Sequence, residues 1–259
     1  STERYKYNRI MKSVILIPCR LESTRFPNKP LVNILDKPMI QWVYEAAEKS
    51  DATDVFVITD SEEIIQAVAS FDGQTIRTTS EPQNGTERCE EAIEILNSGG
   101  EEYDVIINIQ GDEPLIKPQD INRLLFLFEE EDIDIGTFIQ PISNENDYLN
   151  KNVVKAVPTS FDEGFCDICY FSRSPIPHMD NFEENIAFRH IGIYGFTATA
   201  FEEIKNLESS ILEENERLEQ LRWLQNHMVV SAIVTENILH GVDTKEDLTA
   251  VENILKSPK

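Results

Sequence analysis

From Ser13 to Glu130, short apolar runs alternate with segments whose apolar residues recur at helical spacing, and this alternation constrains the fold more than any other feature. "SVILIP", "DVFVITD" and "DVIINIQ" read as buried strands, and "TIRTT" as a weaker one. The stretch "KPMIQWVYEAAEKS" places Met39, Ile40, Val43, Tyr44 and Ala47 on one helical face, with Pro38 suited to the first turn. "SEEIIQAVASF" reads as a second helix, capped by Ser61 and ending before Gly73. "GTERCEEAIEIL" and "PQDINRLLFLFEEE" read as two more. Strands separated by helices predict an α/β fold with a parallel sheet covered on both faces.

Beyond residue 130 the strand-like runs crowd together: "DIGTFIQPI", "VVKAVPT", "ICYFS" and "HIGIYGF". They predict a mixed or antiparallel extension, so the sheet as a whole is mixed and mostly parallel. "NERLEQLRWLQ" reads as one helix, "VVSAIVTE" as a strand, and "TKEDLTAVENIL" as a helix capped by Thr244 with Asp247 at its third position. No repeat or low-complexity linker interrupts the pattern, so residues 13–259 are expected to form a single domain, with "PTSFDEGF" as a local excursion. Residues 1–12 read as a leader or cloning remnant. The dense apolar strands of residues 130–200 are expected to contribute to a homodimer interface.

Charge excludes some partners. With 23 Lys plus Arg against 47 Asp plus Glu, the net charge is −24, which argues against nucleic-acid binding and against a polybasic membrane anchor. No apolar run approaches the roughly 20 residues needed to cross a bilayer, so no membrane insertion and a cytoplasmic location are expected. Cys166 and Cys169 form a C-x-x-C, but in strand-like "FCDICYF" their offset puts them on opposite faces, and no second pair completes a zinc site. Reduced thiols are the expectation.

In such sheets, chemistry gathers in the loops after the parallel strands. The loop of "LIPCRLESTRFPNKPL" carries Arg20, Arg25 and Lys29 with Ser23 and Thr24, stiffened by Pro27 and Pro30. Cations, hydroxyls and backbone N–H groups there suit a phosphate, yet no glycine occurs between residues 1 and 72, so this is neither a Walker A loop nor a dinucleotide fingerprint. "QGDEP" offers Gln110, a turn at Gly111, and the carboxylates of Asp112 and Glu113, hard ligands suited to Mg2+. "GVDTKEDL" offers Asp243, either a second metal carboxylate or part of a helix cap. Cations for phosphate, carboxylates for magnesium and a loop able to read a base together suit nucleotidyl transfer.

Taken in order, "IPCRLESTRFPNKPL", "NGTER", "NIQGDEP", "YFSRSPIP", "RHIGIYGF", "LEQLR" and "GVDTKEDL" resemble the 3-deoxy-manno-octulosonate (Kdo) cytidylyltransferases of bacterial lipopolysaccharide synthesis, from about Ser13 to Leu255. The resemblance implies a nucleotide-diphosphosugar-transferase-like, Rossmann-like fold and a homodimer. It also implies transfer of CMP from CTP to Kdo with release of pyrophosphate. It places Arg20 and Lys29 on the CTP phosphates, with Ser23, Thr24 and Arg25 lining the same loop. Gln110 would read the nucleotide or sugar, Asp112 and Asp243 would hold Mg2+, and Arg173, His190, Tyr194, Glu219 and Gln220 would meet the sugar. Catalytic roles then fall to Arg20, Lys29, Asp112 and Asp243. Cys19 stands where the family commonly has alanine, Asn28 where it has glycine, and Asn84 where it has serine; a second aromatic pair common near Gly195 and Phe196 is missing. Alternatives are the same reaction on 8-amino-Kdo or a sialic acid, and a catalytically silent nucleotide-binding scaffold.

Overall fold

Strand β1 (Ser13–Pro18) is buried along its whole length, and its side chains alternate between two apolar layers. Val14 and Leu16 enter one core while Ile15 and Ile17 enter the other, as a strand covered on both faces requires. The computed structural model of the chain describes residues 11–21, 26–79, 84–130, 132–162, 164–237, 239 and 241–257. At the start of β1, the Lys12 N–H donates to Asp104 Oδ2 at 2.8 Å, and its ammonium lies over the Tyr103 ring.

After β1 come a 3-10 turn (Lys29–Leu31), a two-stranded ribbon of β2 (Asn33–Ile34) and β3 (Lys37–Pro38), and α1 (Met39–Glu48). The alternation continues through β4 (Asp54–Thr59), α2 (Glu62–Ala69), β5 (Thr75–Arg77), α3 (Gly85–Ser98), β6 (Val105–Asn108) and α4 (Pro118–Glu130). Pro38 sits one residue earlier than expected, as the N-cap of α1 rather than in its first turn. Past α2 the left-handed backbone falls on Asp72, with φ 61°, not on Gly73.

The second half holds β7 (Ile135–Pro141), α5 (Glu145–Leu149), β8 (Lys155–Asp162), β9 (Phe165–Ser172), β10 (Phe188–Thr197) and α6 (Ala198–Ile204). It closes with α7 (Ile211–Glu216), α8 (Gln220–Gln225), β11 (Val230–Val234) and α9 (Lys245–Lys256). The main sheet has nine strands in the order β5-β4-β1-β6-β10-β7-β11-β9-β8. β5, β4, β1 and β6 run parallel, β10 is antiparallel to β6 and β7, and β11 is parallel to β7. The expected mixed α/β sheet is therefore present.

Two local expectations change. The "NERLEQLRWLQ" segment is two helices, because Arg217 adopts a left-handed backbone at φ 55° and breaks the run. "PTSFDEGF" belongs to the β8–β9 hairpin, whose register shifts between Val157 and Pro158 and again between Pro158 and Phe161. Cys166 is buried and Cys169 exposed, on opposite faces of β9, and all four cysteines are free.

Candidate active site

Parallel pairing of β1 with β6, with Leu16 opposite Asn108, brings the loops that follow both strands side by side. In the first loop the Asn28 N–H donates to Leu21 O at 3.2 Å, and Asn28 takes a left-handed conformation of φ 55° and ψ 24°. This turn delivers Lys29 at the head of the 3-10 segment. Arg20 is half-buried in the same loop. Ser23, Thr24 and Arg25 lie outside the described residues.

Lys29 joins residues far apart in sequence. Its ammonium lies 2.5 Å from Asp112 Oδ2 and 3.2 Å from Asp243 Oδ1. Burial works against that ammonium, but Asp112 and then Asp243 outweigh it and raise its pKa. The Val242 N–H donates to Asp112 O at 2.9 Å, so a backbone hydrogen bond, not only the ion pairs, fixes one carboxylate beside the other. Asp243 joins the cap of α9 only through its backbone: its N–H donates to Asp247 Oδ2 at 3.0 Å, while Thr244 and Asp247 form the reciprocal capping box and the Asp243 carboxylate turns to Lys29.

Two carboxylates converging on one cation suit Mg2+, which takes one or two protein carboxylates and completes its shell with water and phosphate oxygens. Among the described residues no group of three or more His, Cys, Asp or Glu side chains is placed to hold a metal. Glu113 lies within the electrostatic reach of Asp112, Asp243 and Lys29 but makes no ion pair with Lys29 among the described residues. Its Oε2 is buried without a hydrogen-bond partner among the described residues, a Cβ on Gly241 would lie 3.1 Å from its Oε1, and burial, then the Asp112 charge, push its carboxyl up to about 8.

Next to these carboxylates, Gln110 Nε2 donates to Asn108 Oδ1 at 2.9 Å and faces the first turn of α3. A Cβ on Gly85 would lie 2.9 Å from Gln110 Nε2, so the turn packs directly on that amide. One turn along α3, Arg88 is 1% exposed; it donates to Thr79 O and pairs with Asp60 Oδ1 at 3.3 Å. Burial lowers its pKa, Asp60 opposes the shift, and the charge of Arg20 adds to it. Two guanidinium groups thus face the same end of the sheet.

A second cluster lies along β10 and α8. The His190 ring stands edge-on to Phe171 at 4.9 Å and tilted against Tyr194 at 5.2 Å, with Nε2 3.0 Å from Thr137 Oγ1. Burial holds the imidazole neutral, pushing its pKa down to about 3. Tyr194 is buried where the His190 residue as a whole is half-buried, and burial followed by the nearby Glu219 charge raises the Tyr194 pKa. Glu219 accepts a hydrogen bond from Thr86 Oγ1 at 2.9 Å, and Gln220 is buried at the start of α8.

Arg173 is used differently. Its guanidinium donates to the carbonyls of Glu216 at 2.7 Å, Lys151 at 3.2 Å and Arg217 at 3.3 Å, and so clamps the break between α7 and α8. Lys155, fully buried, donates to Arg173 O, Asn150 O and Val153 O from the other side. Thr86, Arg88 and Arg189 went unassigned in the sequence, although all three lie within the quoted motifs "NGTER" and "RHIGIYGF". Arg189 bonds Leu239 O at 2.7 Å, on the loop that leads to Asp243.

A family model described as Cytidylyltransferase matches residues 14–233. The chain belongs to the cytidylyltransferase family. Among curated relatives, the 3-deoxy-manno-octulosonate cytidylyltransferase of Thermodesulfovibrio yellowstonii is 42% identical over 95% of this chain and 99% of its own. That of Parabacteroides distasonis is 40% identical over 92% and 96%. A solved CMP:2-keto-3-deoxy-manno-octonic acid synthetase complexed with CTP superposes with a TM-score of 0.84 at 34% identity, covering 95% of this chain and 98% of its own. Apo UDP-glucose pyrophosphorylase, at 14% identity and TM-score 0.68 over 95% and 98%, shares the fold.

This cytidylyltransferase absorbs its departures from the family pattern locally. Asn28 sits at a positive φ, where asparagine is among the few residues besides glycine that are tolerated. Asn84 caps α3, accepting from the Glu87 N–H at 2.9 Å as a serine would. Cys19 fits because Gly111 has no side chain: a Cβ there would lie 2.2 Å from Cys19 Sγ.

Proposed function

We propose that the chain transfers CMP from CTP to the anomeric 2-hydroxyl of Kdo, releasing pyrophosphate. The observation that carries this reading is the Lys29–Asp112–Asp243 clasp at the carboxyl ends of β1 and β6. It puts a cation donor for the triphosphate and two hard carboxylates within one ion-pair network. Family membership and the similarity to relatives named for Kdo support the choice of substrates.

The attacking oxygen is the sugar 2-hydroxyl, and its proton passes to solvent water as its bond to the α-phosphorus forms and the bond from that phosphorus to the bridging oxygen of the departing pyrophosphate breaks. Asp112 and Asp243 would hold Mg2+. When bound, the cation would supply Lewis-acid stabilisation of phosphate charge. Arg20 and Lys29 stabilise the negative charge that builds on the departing pyrophosphate. Ser23, Thr24 and Arg25 complete the phosphate loop, and Gln110 reads the nucleotide or sugar. His190, Tyr194, Glu219 and Gln220 form the sugar pocket: His190 meets a hydroxyl as a neutral imidazole, and Arg173 holds the pocket's wall. No residue of the chain forms a covalent bond to substrate in this scheme.

We further place the enzyme in the cytoplasm, as a homodimer serving lipopolysaccharide synthesis. Free cysteines fit a reducing compartment, and among the described helices none is long and apolar enough to cross a membrane. Phe161, 54% exposed and tilted against Phe188 with ring centroids 5.5 Å apart, sets an apolar side chain on the outer hairpin that a second copy could cover.

Pyrophosphate release from CTP and Mg2+, measured across Kdo, 8-amino-Kdo and sialic acid, tests the reading. Kdo is expected to be the preferred sugar, and Asp112→Asn or Asp243→Asn to lower turnover by about 10²-fold or more. Near-normal turnover in either variant, or preference for another sugar, would overturn it.

A further inference from the structure

The first turn of α3 touches both halves of the site through consecutive residues. Asn84 caps the helix, Gly85 packs against the Gln110 amide, and Thr86, 4% exposed, donates its hydroxyl to Glu219 Oε1 at 2.9 Å. Thr86 and Glu219 are 133 residues apart in sequence, and Glu219 stands at the head of α8. The Gln110 amide and the Glu219 carboxylate are therefore registered against one helix end.

Glu219 needs such an anchor. It shares its surroundings with the acidic Glu213 and Glu90, with Arg222 opposing them, and burial raises its pKa while the Thr86 hydrogen bond lowers it. A carboxylate in that company turns away from its neighbours or takes up a proton unless a donor fixes one oxygen. With Oε1 held by Thr86, the other oxygen accepts from a hydroxyl arriving in a fixed direction, and less rotamer freedom is lost on binding.

We infer that Thr86 is a positioning residue for the acceptor sugar: its hydroxyl orients the Glu219 carboxylate and sets that carboxylate's place relative to the Gln110 amide. The inference rests on the proposed reaction. Thr86 acts through Glu219, so its loss falls on the sugar and spares CTP.

Steady-state kinetics of Thr86→Val, which keeps the shape and removes the hydroxyl, and Thr86→Ser, which keeps the hydroxyl, provide the test. Thr86→Val is expected to raise the KM for Kdo by about tenfold, the scale of a hydrogen bond to a charged group, with the KM for CTP unchanged within about twofold. Thr86→Ser is expected to stay near wild type. In a Glu219→Gln background, Thr86→Val is expected to add little further loss. If Thr86→Val does not fold, Thr86→Ala carries the same comparison. Equal Kdo KM values for the Val (or Ala) and Ser variants, or a loss that falls on CTP, would overturn the inference while the wild type's turnover leaves the reaction standing. A wild type that releases no pyrophosphate with Kdo removes the reaction and the inference together.

Discussion

Lys29 Nζ lies 2.5 Å from Asp112 Oδ2, so in the free protein a side-chain cation already neutralises the carboxylate proposed to bind Mg2+. In the proposed reaction the ammonium and an incoming metal would compete for the same oxygens until a triphosphate drew the lysine away. Removing the ammonium should therefore help the metal and harm the reaction. Lys29→Met is expected to bind Mn2+ about three- to tenfold more tightly without CTP, since a partly exposed pair of this kind is worth on the order of 1 kcal/mol. Turnover of the same variant is expected to fall by about 10²-fold. Calorimetry with Mn2+ reads the first effect, and weaker metal binding in the variant would contradict the competition.

His190 should set part of the acid limit of stability. Its folded pKa of about 3 lies below the ordinary 6.5, so between these values the unfolded chain binds the extra proton. Stability present at neutral pH is then lost as pH falls from about 6.5 towards 3. His190→Gln should flatten that slope in denaturant titrations across the window. In NMR at pH 5 the His190 ring should remain neutral, and a ring that titrates near 6.5 would refute the argument.

Gly111 and Cys19 are coupled by contact. Gly111→Ala forces its Cβ against Cys19 Sγ and is expected to cost roughly 1–3 kcal/mol, as overpacking in a filled core does. Cys19→Ala in the same chain should restore most of that loss. Thermal unfolding of the two single variants and the double variant closes the cycle; additive losses would show that the contact is not the cause.

The left-handed backbone at Asn28 makes a similar demand on the loop after β1. Asn28→Gly should be close to neutral in stability, whereas Asn28→Val should cost about 1–2 kcal/mol and displace Lys29 with it. A melting temperature for Asn28→Val equal to that of the wild type would rule out the strain.

The first half of the fold was legible because its periodicity is local: β1 begins and ends where "SVILIP" does, and Ser61 caps the helix it was expected to cap, as Thr244 does for α9 at the far end of the fold. The break at Arg217 was not, since a left-handed arginine carries no sequence signal and "NERLEQLRWLQ" keeps a helical period through it. Short helices such as α5 and α6 escaped for want of enough turns to show a period. In the site, loop position pointed to Lys29, Asp112 and Asp243 one by one, while their meeting depends on the sheet order and on the bond from Val242 to Asp112. Arg173 shows the reverse. Its motif marks it for the sugar side, but only three dimensions reveal that its donors hold carbonyls.

The Val242–Asp112 hydrogen bond also sets a schedule for the growing polypeptide. Every strand of the main sheet has been synthesised once Val234 has emerged from the ribosome, yet at that moment Asp112 still lacks its companion carboxylate. In order of synthesis the strands of the main sheet therefore precede the second acid, and Lys29 has both of its carboxylates only once the segment through Asp243, which also brings Val242 and Val251 into the core, is in place.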